Sequence, residues 1–417
     1  MGRKEGVRAA AKRAVVRYLR MKHDIPPHSS RSSQRAYRQD GRRDNEILFL
    51  FIGGVHQVLH LAPVAAATAR LYPDVQVTCL HRDRETGQML TEVRRSMRAE
   101  GMKIAPSPPP TWSRTVGRWF RRPAIEKLPL LYRIARRHHN ARAVVVPERT
   151  STKLRKMGMA DASLIHFRHG AGDRAPRSEH RLKAFDLIVV PGKKDVDRAV
   201  REQNIDRSRL RQCGYVKLDY LARTRRKEYP RLFADGRRPV VLYNPHFDPK
   251  ISSWRDAQRL IEIFAGQDHY NLIVAPHIRI SEGMTAHEMA EWHALAVPGR
   301  IIIDFHSRKM VDMSYVLASD IYLGDVSSQL YEFLHEPRPV AFLNSHQVHW
   351  ADDPRYAGWR LGSVATDADN ILDTIHQAVM EHPGRIEDQE AAVDNAFGDW
   401  RGASVRGAEA IGTFLGL

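Results

Sequence analysis

Short apolar runs, separated by longer amphipathic segments, are the feature of this sequence that most limits the folds open to it. A strand that is apolar on both faces is typical of a parallel sheet covered by helices on both sides. The sequence therefore predicts an α/β fold with doubly wound, Rossmann-like sheets. The predicted strands are 47–52, 75–80, 143–146, 163–167 and 187–190, followed by 239–243, 271–275, 301–304, 321–323 and 339–343.

A polar, charged stretch over residues 223–238 separates the two series of predicted strands. At roughly 100–200 residues per domain, a chain of 417 residues has room for two or three domains. We predict a basic arm over residues 1–44, an N-terminal Rossmann-like domain over 45–225 and a C-terminal one over 226–417. Two such domains would face a central cleft at the carboxyl ends of their strands, where parallel sheets bind ligands.

The net charge of +18 is concentrated in two segments. Residues 1–44 carry a net +9 and residues 112–156 a net +11, which leaves the rest of the chain at −2. The first segment combines an amphipathic basic helix with a flexible linker, and the second mixes aromatic residues with cations. Such segments suit an anionic membrane surface, which attracts a nearby basic residue by roughly 1 kcal/mol. We therefore expect that surface to be a partner.

Other interpretations of the basic segments stay open. They are a solvated basic face with a disordered tail, an organelle transit peptide, and a nucleic-acid surface. Nucleic acid is not an expected partner, because the sequence contains no helix-turn-helix, RNP-like or zinc-finger pattern. No apolar run approaches the roughly 20 residues of a membrane span, and no secretory signal is recognisable. We expect a cytoplasmic protein bound peripherally to the inner face of the cell membrane.

Histidines follow two of the predicted strands. His169 comes after strand 163–167 and precedes Gly170. An imidazole, with an ordinary pKa near 6.5, can take a proton from an attacking hydroxyl. His277 comes after Pro276, which ends its strand, and could stabilise a phosphoryl group as an imidazolium or as an N–H donor. The simpler interpretation of either residue alone is an incidental loop histidine.

A helix start after strand 321–323 offers further polar groups. Asp325, Ser327 and Ser328 lie in the turn, where free backbone N–H groups and hydroxyls can hold a phosphate without a metal ion. Glu332 lies one helical turn later on the same face as Ser328, within reach of a ribose. An ordinary capped helix is the alternative interpretation. The sequence predicts no metal site and no cofactor.

The order of these motifs resembles the CDP-glycerol glycerophosphotransferase family, which makes teichoic-acid-type polyol phosphate polymers. The resemblance implies a glycosyltransferase-B-type fold of two Rossmann-like domains, the first for the acceptor and the second for a nucleotide-activated polyol donor. It also implies attachment to the cytoplasmic face of the membrane. The segments that carry it lie between Ser163 and Leu343 and are His169-Gly170, 214–219, 242–245, Pro276-His277 and 320–333.

The resemblance implies roles for individual residues. His169 would be the base, and His277 would contact the donor phosphates. Ser327 and Ser328 would hold the pyrophosphate, and Lys217 is a further candidate for stabilising its charge. The expected reaction transfers a glycerol-phosphate-type group from a CDP-polyol donor to a lipid-linked or polysaccharide acceptor, with release of CMP.

Two departures from the family pattern keep other functions open. Ala171-Gly172 stands where the family usually has Thr-Pro, and Val326 replaces an aromatic residue before the paired serines. The alternatives are a sugar transferase or a UDP-sugar 2-epimerase that uses the same fold. A non-catalytic basic scaffold that binds membrane or nucleic acid is the third.

Overall fold

The computed structural model describes residues 45–111, 113, 124–173, 179–224, 231–234, 236 and 238–417. These residues form two β-sheets with flanking helices, so the prediction of an α/β fold is confirmed. The basic arm over residues 1–44 lies outside the described residues, as do 112 and 114–123 of the basic aromatic segment.

The first sheet has seven described strands in the order β3-β2-β1-β4-β5-β6-β7. β1 pairs in parallel with β2 and β4, β2 with β3, and β4 with β5. Their side chains are mostly buried because both faces of the sheet are covered. The strands are β1 (Glu46–Phe51), β2 (Gln76–His81), β3 (Met102–Pro106), β4 (Ala143–Val146), β5 (Ser163–Phe167), β6 (Leu187–Val190) and β7 (Leu210–Gln212).

The second sheet has six described strands in the order β10-β9-β8-β11-β12-β13. Every neighbouring pair is parallel, so all the carboxyl ends meet at one edge of the sheet. The strands are β8 (Val240–Asn244), β9 (Asn271–Val274), β10 (Ile301–Ile303), β11 (Ile321–Gly324), β12 (Val340–Leu343) and β13 (Ser363–Ala365).

Amphipathic helices connect the strands. Local signals set several of their ends: Asp83 caps α2 by accepting the backbone N–H of Thr86, and Thr285 and Glu288 form a capping box at the start of α7. No helix among the described residues is long and apolar enough to cross a membrane. The helices are α1 (Val58–Leu71), α2 (Arg84–Ser96), α3 (Ala124–Arg137), α4 (Lys193–Arg201), α5 (Val216–Thr224), α6 (Ala257–Ala265), α7 (Ala286–Ala294), α8 (Ser314–Leu317), α9 (Gln329–Phe333), α10 (Ile371–Glu381), α11 (Ile386–Phe397) and α12 (Ala403–Leu415).

Three strands escaped prediction, and all three lie at the edges of their sheets. They are β3, β7 and β13. β3 has one buried residue, Met102, followed by four that are partly or fully exposed, while β7 and β13 have only three residues each. An edge strand has one open side and needs no continuous apolar run, so the apolar-run criterion missed these three strands, although it found the apolar edge strand β10.

The chain divides into two compact units. Among the described residues, the first unit comprises those from 45 to 167, from 181 to 188 and from 408 to 417, and the second comprises those from 168 to 180 and from 189 to 407. This division differs from the predicted domains 45–225 and 226–417, because the segment after β5 and the residues from 189 onward cluster with the second unit. His169, Lys217, His277 and the helix start at α9 therefore all belong to the second unit.

The core of the second unit is a continuous apolar cluster on its sheet. Leu260, Ile261 and Phe264 of α6 pack there with Ile371 and Ile375 of α10. Each of these side chains is almost fully buried, which is worth about 1.5–3 kcal/mol per residue. This packing holds the carboxyl ends of the strands, and the turns that follow them, in a fixed arrangement.

Candidate active site

Two neighbouring strands of the second sheet lead into the same short pattern. β8 ends in Asn244-Pro245-His246, and β9 is followed by Ala275-Pro276-His277. The parallel ladder continues past the strands, since the N–H of His277 donates to the carbonyl of Pro245 at 3.0 Å. The two imidazole rings therefore lie side by side, with centroids 5.9 Å apart.

Hydrogen bonds from the backbone define which nitrogen carries the proton in the neutral form of both histidines. The N–H of Arg279 donates to Nδ1 of His277 at 3.2 Å, and the N–H of Asp248 donates to Nδ1 of His246 at 3.0 Å. A ring nitrogen that accepts such a bond carries no proton, so the proton of the neutral ring is on Nε2. In both turns, Nε2–H is thus the group able to donate.

His277 is uncharged at neutral pH. Burial first, and then the nearby positive charges of His246, Arg279 and His169, lower the pKa of His277 to about 3. Of the two forms that the sequence left open, the structure selects the N–H donor over the imidazolium. His169 is among the groups whose charge lowers this pKa.

Glycines bring the loop of His169 against the start of α9. Gly170 has a φ of +73°, and a Cβ atom there would lie 3.1 Å from Oγ of Ser328. A Cβ atom on Gly172 would lie 3.5 Å from Cβ of Ser328. Gly170 therefore meets two requirements that glycine satisfies best, a left-handed backbone and a close approach. The predicted base and the predicted phosphate-binding turn are adjacent as a result.

A buried charged cluster holds this loop in place. The carboxylate of Asp173 accepts from the hydroxyl of Tyr331 at 2.6 Å, the N–H of Gly358 at 2.9 Å and Nζ of Lys194 at 2.9 Å. Lys194 also donates to the carbonyl of Ala171 and lies 3.6 Å from the centre of the Tyr331 ring. These contacts tie both sides of the loop to α4 and α9. Sequence analysis did not identify Asp173 or Lys194.

The paired serines differ in what their hydroxyls contact. Ser327 is 7% exposed, and its Oγ donates to Oδ1 of Asn244 at 2.9 Å and accepts the N–H of Gln329 at 3.2 Å. Ser328 is half-buried and faces Gly170. Ser327 thus connects the turn after β11 to the end of β8, while Ser328 is the hydroxyl beside the loop of His169.

Asp325 bonds within the protein. It is 1% exposed and accepts the backbone N–H groups of His246 at 2.9 Å, Ser253 at 2.7 Å and Val326 at 2.6 Å. Burial raises the pKa of Asp325 to about 6, and the hydrogen bonds from these groups oppose that rise. The predicted phosphate contact of Asp325 stays a prediction; the observed bonds orient the turn that carries His246.

Glu332 and Lys217 form a buried ion pair. Nζ of Lys217 donates to Oε2 of Glu332 at 2.8 Å, and the hydroxyl of Tyr215 donates to Oε1 at 2.6 Å. Glu332 is 3% exposed and Lys217 is 4% exposed. Burial, followed by the charge of Glu332, raises the pKa of Tyr215. The predicted ribose contact of Glu332 and the predicted charge stabilisation by Lys217 stay predictions; the observed pairing joins the start of α5 to α9.

His246 is the site residue that sequence analysis missed, although a signal for it was present. The pattern Pro-His occurs twice, each time directly after an apolar strand, and those strands are neighbours in the sheet. Its recognition required the register that pairs β8 with β9. Among the described residues, no group of three or more His, Cys, Asp or Glu side chains is arranged to hold a metal ion.

Comparison with known proteins identifies a family. Residues 135–403 match the family described as CDP-glycerol:poly(glycerophosphate) glycerophosphotransferase. The matched region is more than half of the chain and includes every predicted site residue. No curated protein matches the sequence.

Solved structures show the fold. A protein from Listeria monocytogenes assigned as a UDP-N-acetylglucosamine 2-epimerase aligns with a TM-score of 0.64 at 16% identity, covering 89% of this chain and 96% of that one. A variant of the wall teichoic acid polymerase TagF soaked with CDPG aligns with a TM-score of 0.56 at 15% identity, covering 89% of this chain and 88% of that one. The S. aureus MnaA–UDP structure aligns with a TM-score of 0.59 at 15% identity, covering 89% of this chain and 97% of that one. The predicted glycosyltransferase-B-type fold is confirmed.

Proposed function

The chain belongs to the CDP-glycerol:poly(glycerophosphate) glycerophosphotransferase family and is a glycerophosphotransferase, and on that premise we propose that it transfers a glycerol-phosphate-type group from a CDP-activated donor to a lipid-linked or polysaccharide acceptor. One observation carries the proposal. The loop of His169 lies against Ser328 in the second unit, and the charge of His169 acts on His277, which supports a site with one base and two donors to phosphate oxygens.

The proposed reaction is a single displacement at phosphorus. An acceptor hydroxyl attacks the β-phosphorus of the donor, a new P–O bond forms, and the P–O bond to the leaving CMP breaks. His169 takes the proton that the acceptor hydroxyl loses. Most of the catalysis comes from positioning the reactants and from hydrogen bonds to the phosphoryl oxygens, as is general for phosphoryl transfer.

His277 and Ser328 would bind the donor phosphates. His277 offers a neutral Nε2–H, and Ser328 offers a hydroxyl at the start of α9. Ser327 would act through the turn, because its own hydroxyl is bonded to Asn244. The proposal includes no metal ion and no cofactor, and turnover that is unchanged by a chelator such as EDTA is the expected result.

We extend the proposal to cell-envelope polymer synthesis at the cytoplasmic face of the membrane. The support is the charge pattern, since residues 1–44 and 112–156 together carry a net charge of +20. Anionic lipids attract such segments. Binding of the full chain to vesicles that contain anionic lipid, weakened by salt and lost with neutral lipid, is the expected behaviour.

A donor screen tests the proposed function. The purified full chain is incubated with CDP-glycerol, another CDP-polyol or UDP-N-acetylglucosamine, together with a lipid-linked glycerol phosphate primer or a soluble polysaccharide. We expect release of CMP and a matching mass increase of one acceptor. Release of UDP, or isomerisation of the sugar nucleotide without release, would contradict the proposal and would favour the sugar transferase or the epimerase.

A further inference from the structure

We propose that His246 is a second donor-binding residue, whose Nε2–H acts beside that of His277 as one of a pair of hydrogen-bond donors for the diphosphate of the donor. The inference rests on the proposed function of the same site. It adds a residue that the sequence analysis did not select, and it specifies how the diphosphate is recognised.

The first argument is that His246 and His277 occupy equivalent positions. Tyr243 of β8 is in register with Val274 of β9, and each of these residues is followed three positions later by a histidine. Each ring accepts, at Nδ1, the backbone N–H of the residue two positions further along. The neutral form of both imidazoles therefore carries its proton on Nε2. Both residues lie at the carboxyl edge of the sheet, directly after adjacent strands.

The second argument is that His246 is held in position from several sides. Its backbone N–H donates to both carboxylate oxygens of the buried Asp325, at 2.9 and 3.1 Å. Phe247 packs against both rings, with centroids 4.4 Å from His246 and 4.7 Å from His277, and the guanidinium of Arg279 lies 4.8 Å from its centre. A donor oriented before the ligand arrives loses little entropy when it binds.

The third argument concerns the ligand. The ring centroids lie 5.9 Å apart, which is close enough for both imidazoles to contact one diphosphate. Hydrogen bonds to charged acceptors are worth about twice as much as bonds between neutral groups. Two adjacent donors suit a diphosphate ester better than a monophosphate, because each phosphate can then accept from its own imidazole.

Two substitutions separate ligand binding from support of the turn. In His246→Asn, the side-chain oxygen can replace Nδ1 as acceptor for Asp248, but no donor remains at the position of Nε2. In His246→Gln, the amide N–H2 can reach that position, but the turn loses its acceptor. A structural role predicts that Asn is tolerated better than Gln. A donor-binding role predicts the reverse.

The measurement is the dissociation constant of CDP, CMP and cytidine for the full chain, by calorimetry, with the melting temperature recorded for each variant. We expect His246→Asn to weaken CDP binding about 10- to 100-fold. We expect His246→Gln to stay within about 3-fold of the wild type, since its amide can still donate. CMP should be less affected than CDP, and cytidine should not be affected. The same pair of substitutions at His277 should give the same order.

The matched control is His287→Asn on the exposed surface of α7, which should leave CDP binding unchanged. The inference is overturned if His246→Asn binds CDP as tightly as the wild type does, or if His246→Gln is the weaker binder of the two. In either case a wild type that binds CDP leaves the proposed function standing. A wild type that binds none of CDP, UDP and GDP overturns the proposed function together with this inference.

Discussion

The turns after β8 and β9 differ from the turn after β11 in how they use their polar side chains. In the two histidine turns, a backbone N–H donates to Nδ1, so Nε2 carries the proton of the neutral ring. In the serine turn, Asp325 and Ser327 make their hydrogen bonds within the protein, and Ser328 is the polar side chain beside the loop of His169. One type of turn presents its polar groups, while the other uses most of them to hold the backbone.

The difference shows that residues of one motif can serve separate purposes. Asp325 orients the turn of His246, and Glu332 and Lys217 stabilise the helix that begins after Ser328. Substitutions in the histidine turns should therefore affect ligand binding and turnover, whereas most substitutions in the serine turn and in α9 should affect stability. The following predictions test that separation, from the largest expected effect to the smallest.

Replacement of His169 should have the largest effect on activity. His169→Ala removes the proposed base, and we expect turnover to fall about 100- to 10,000-fold while the dissociation constant of CDP changes little. Steady-state release of CMP and calorimetry with CDP measure the two quantities. Wild-type turnover by His169→Ala on the correct donor would refute the assigned role.

Breaking the buried ion pair should have the largest effect on stability. Glu332→Gln leaves the ammonium of Lys217 buried without its charged partner, and we expect a loss of about 3–5 kcal/mol in the free energy of unfolding. Denaturation by urea measures this loss. The double variant with Lys217→Met should be destabilised by less than the sum of the single variants. Additive losses would show that the pair is not coupled.

Substitutions of the two serines should have different effects, one on stability and the other on CDP binding. Ser327→Ala leaves Oδ1 of Asn244 without its bond, and we expect a loss of about 1–2 kcal/mol in stability. Ser328→Ala should leave stability unchanged and weaken CDP binding roughly 3- to 10-fold. Urea denaturation and calorimetry on both variants measure the contrast. The reverse assignment would mean that Ser327 is the ligand-facing hydroxyl.

The pH dependence of the free energy of unfolding should reveal the lowered pKa of His277. Unfolded His277 takes up a proton near pH 6.5, while in the folded state its pKa is about 3. The unfolded state therefore binds more protons between these values, so the contribution of His277 is complete above pH 6.5 and is lost as the pH falls towards 3.

We expect the melting temperature of the wild type to drop by roughly 2–4 °C relative to His277→Asn between pH 7 and pH 5. The Asn variant keeps an acceptor for the N–H of Arg279 and cannot titrate, which makes it the matched control. A difference that stays constant over this range would show that His277 is more exposed to water than the structure indicates.

The sequence predicted the central strands and failed at three edge strands. β1 and β8 could be predicted from continuous apolar runs, since both of their faces are buried. β7 is three residues long, with two of them exposed, so its pairing depends on a neighbour that no local pattern reveals. Periodicity reports burial, and an edge strand is buried only in part.

The candidate site divides in the same way. His169, His277 and the serine turn could be selected from sequence because each follows a predicted strand, and the resemblance to a family assigned their roles. His246 also follows a predicted strand, but only the register between β8 and β9 shows that it lies beside His277. The roles of Asp325 and Glu332 also depended on partners that are 72 and 115 residues away along the chain.

The sequence by itself determined the α/β class, the parallel central strands, the two basic segments and the type of chemistry that the loop residues allow. These properties depend on local composition and spacing, which set burial and charge. The tertiary structure decided which polar groups face a ligand and which are bonded inside the protein. That choice depends on contacts between residues far apart in the chain, because a hydroxyl or carboxylate with a buried partner is no longer available to a substrate.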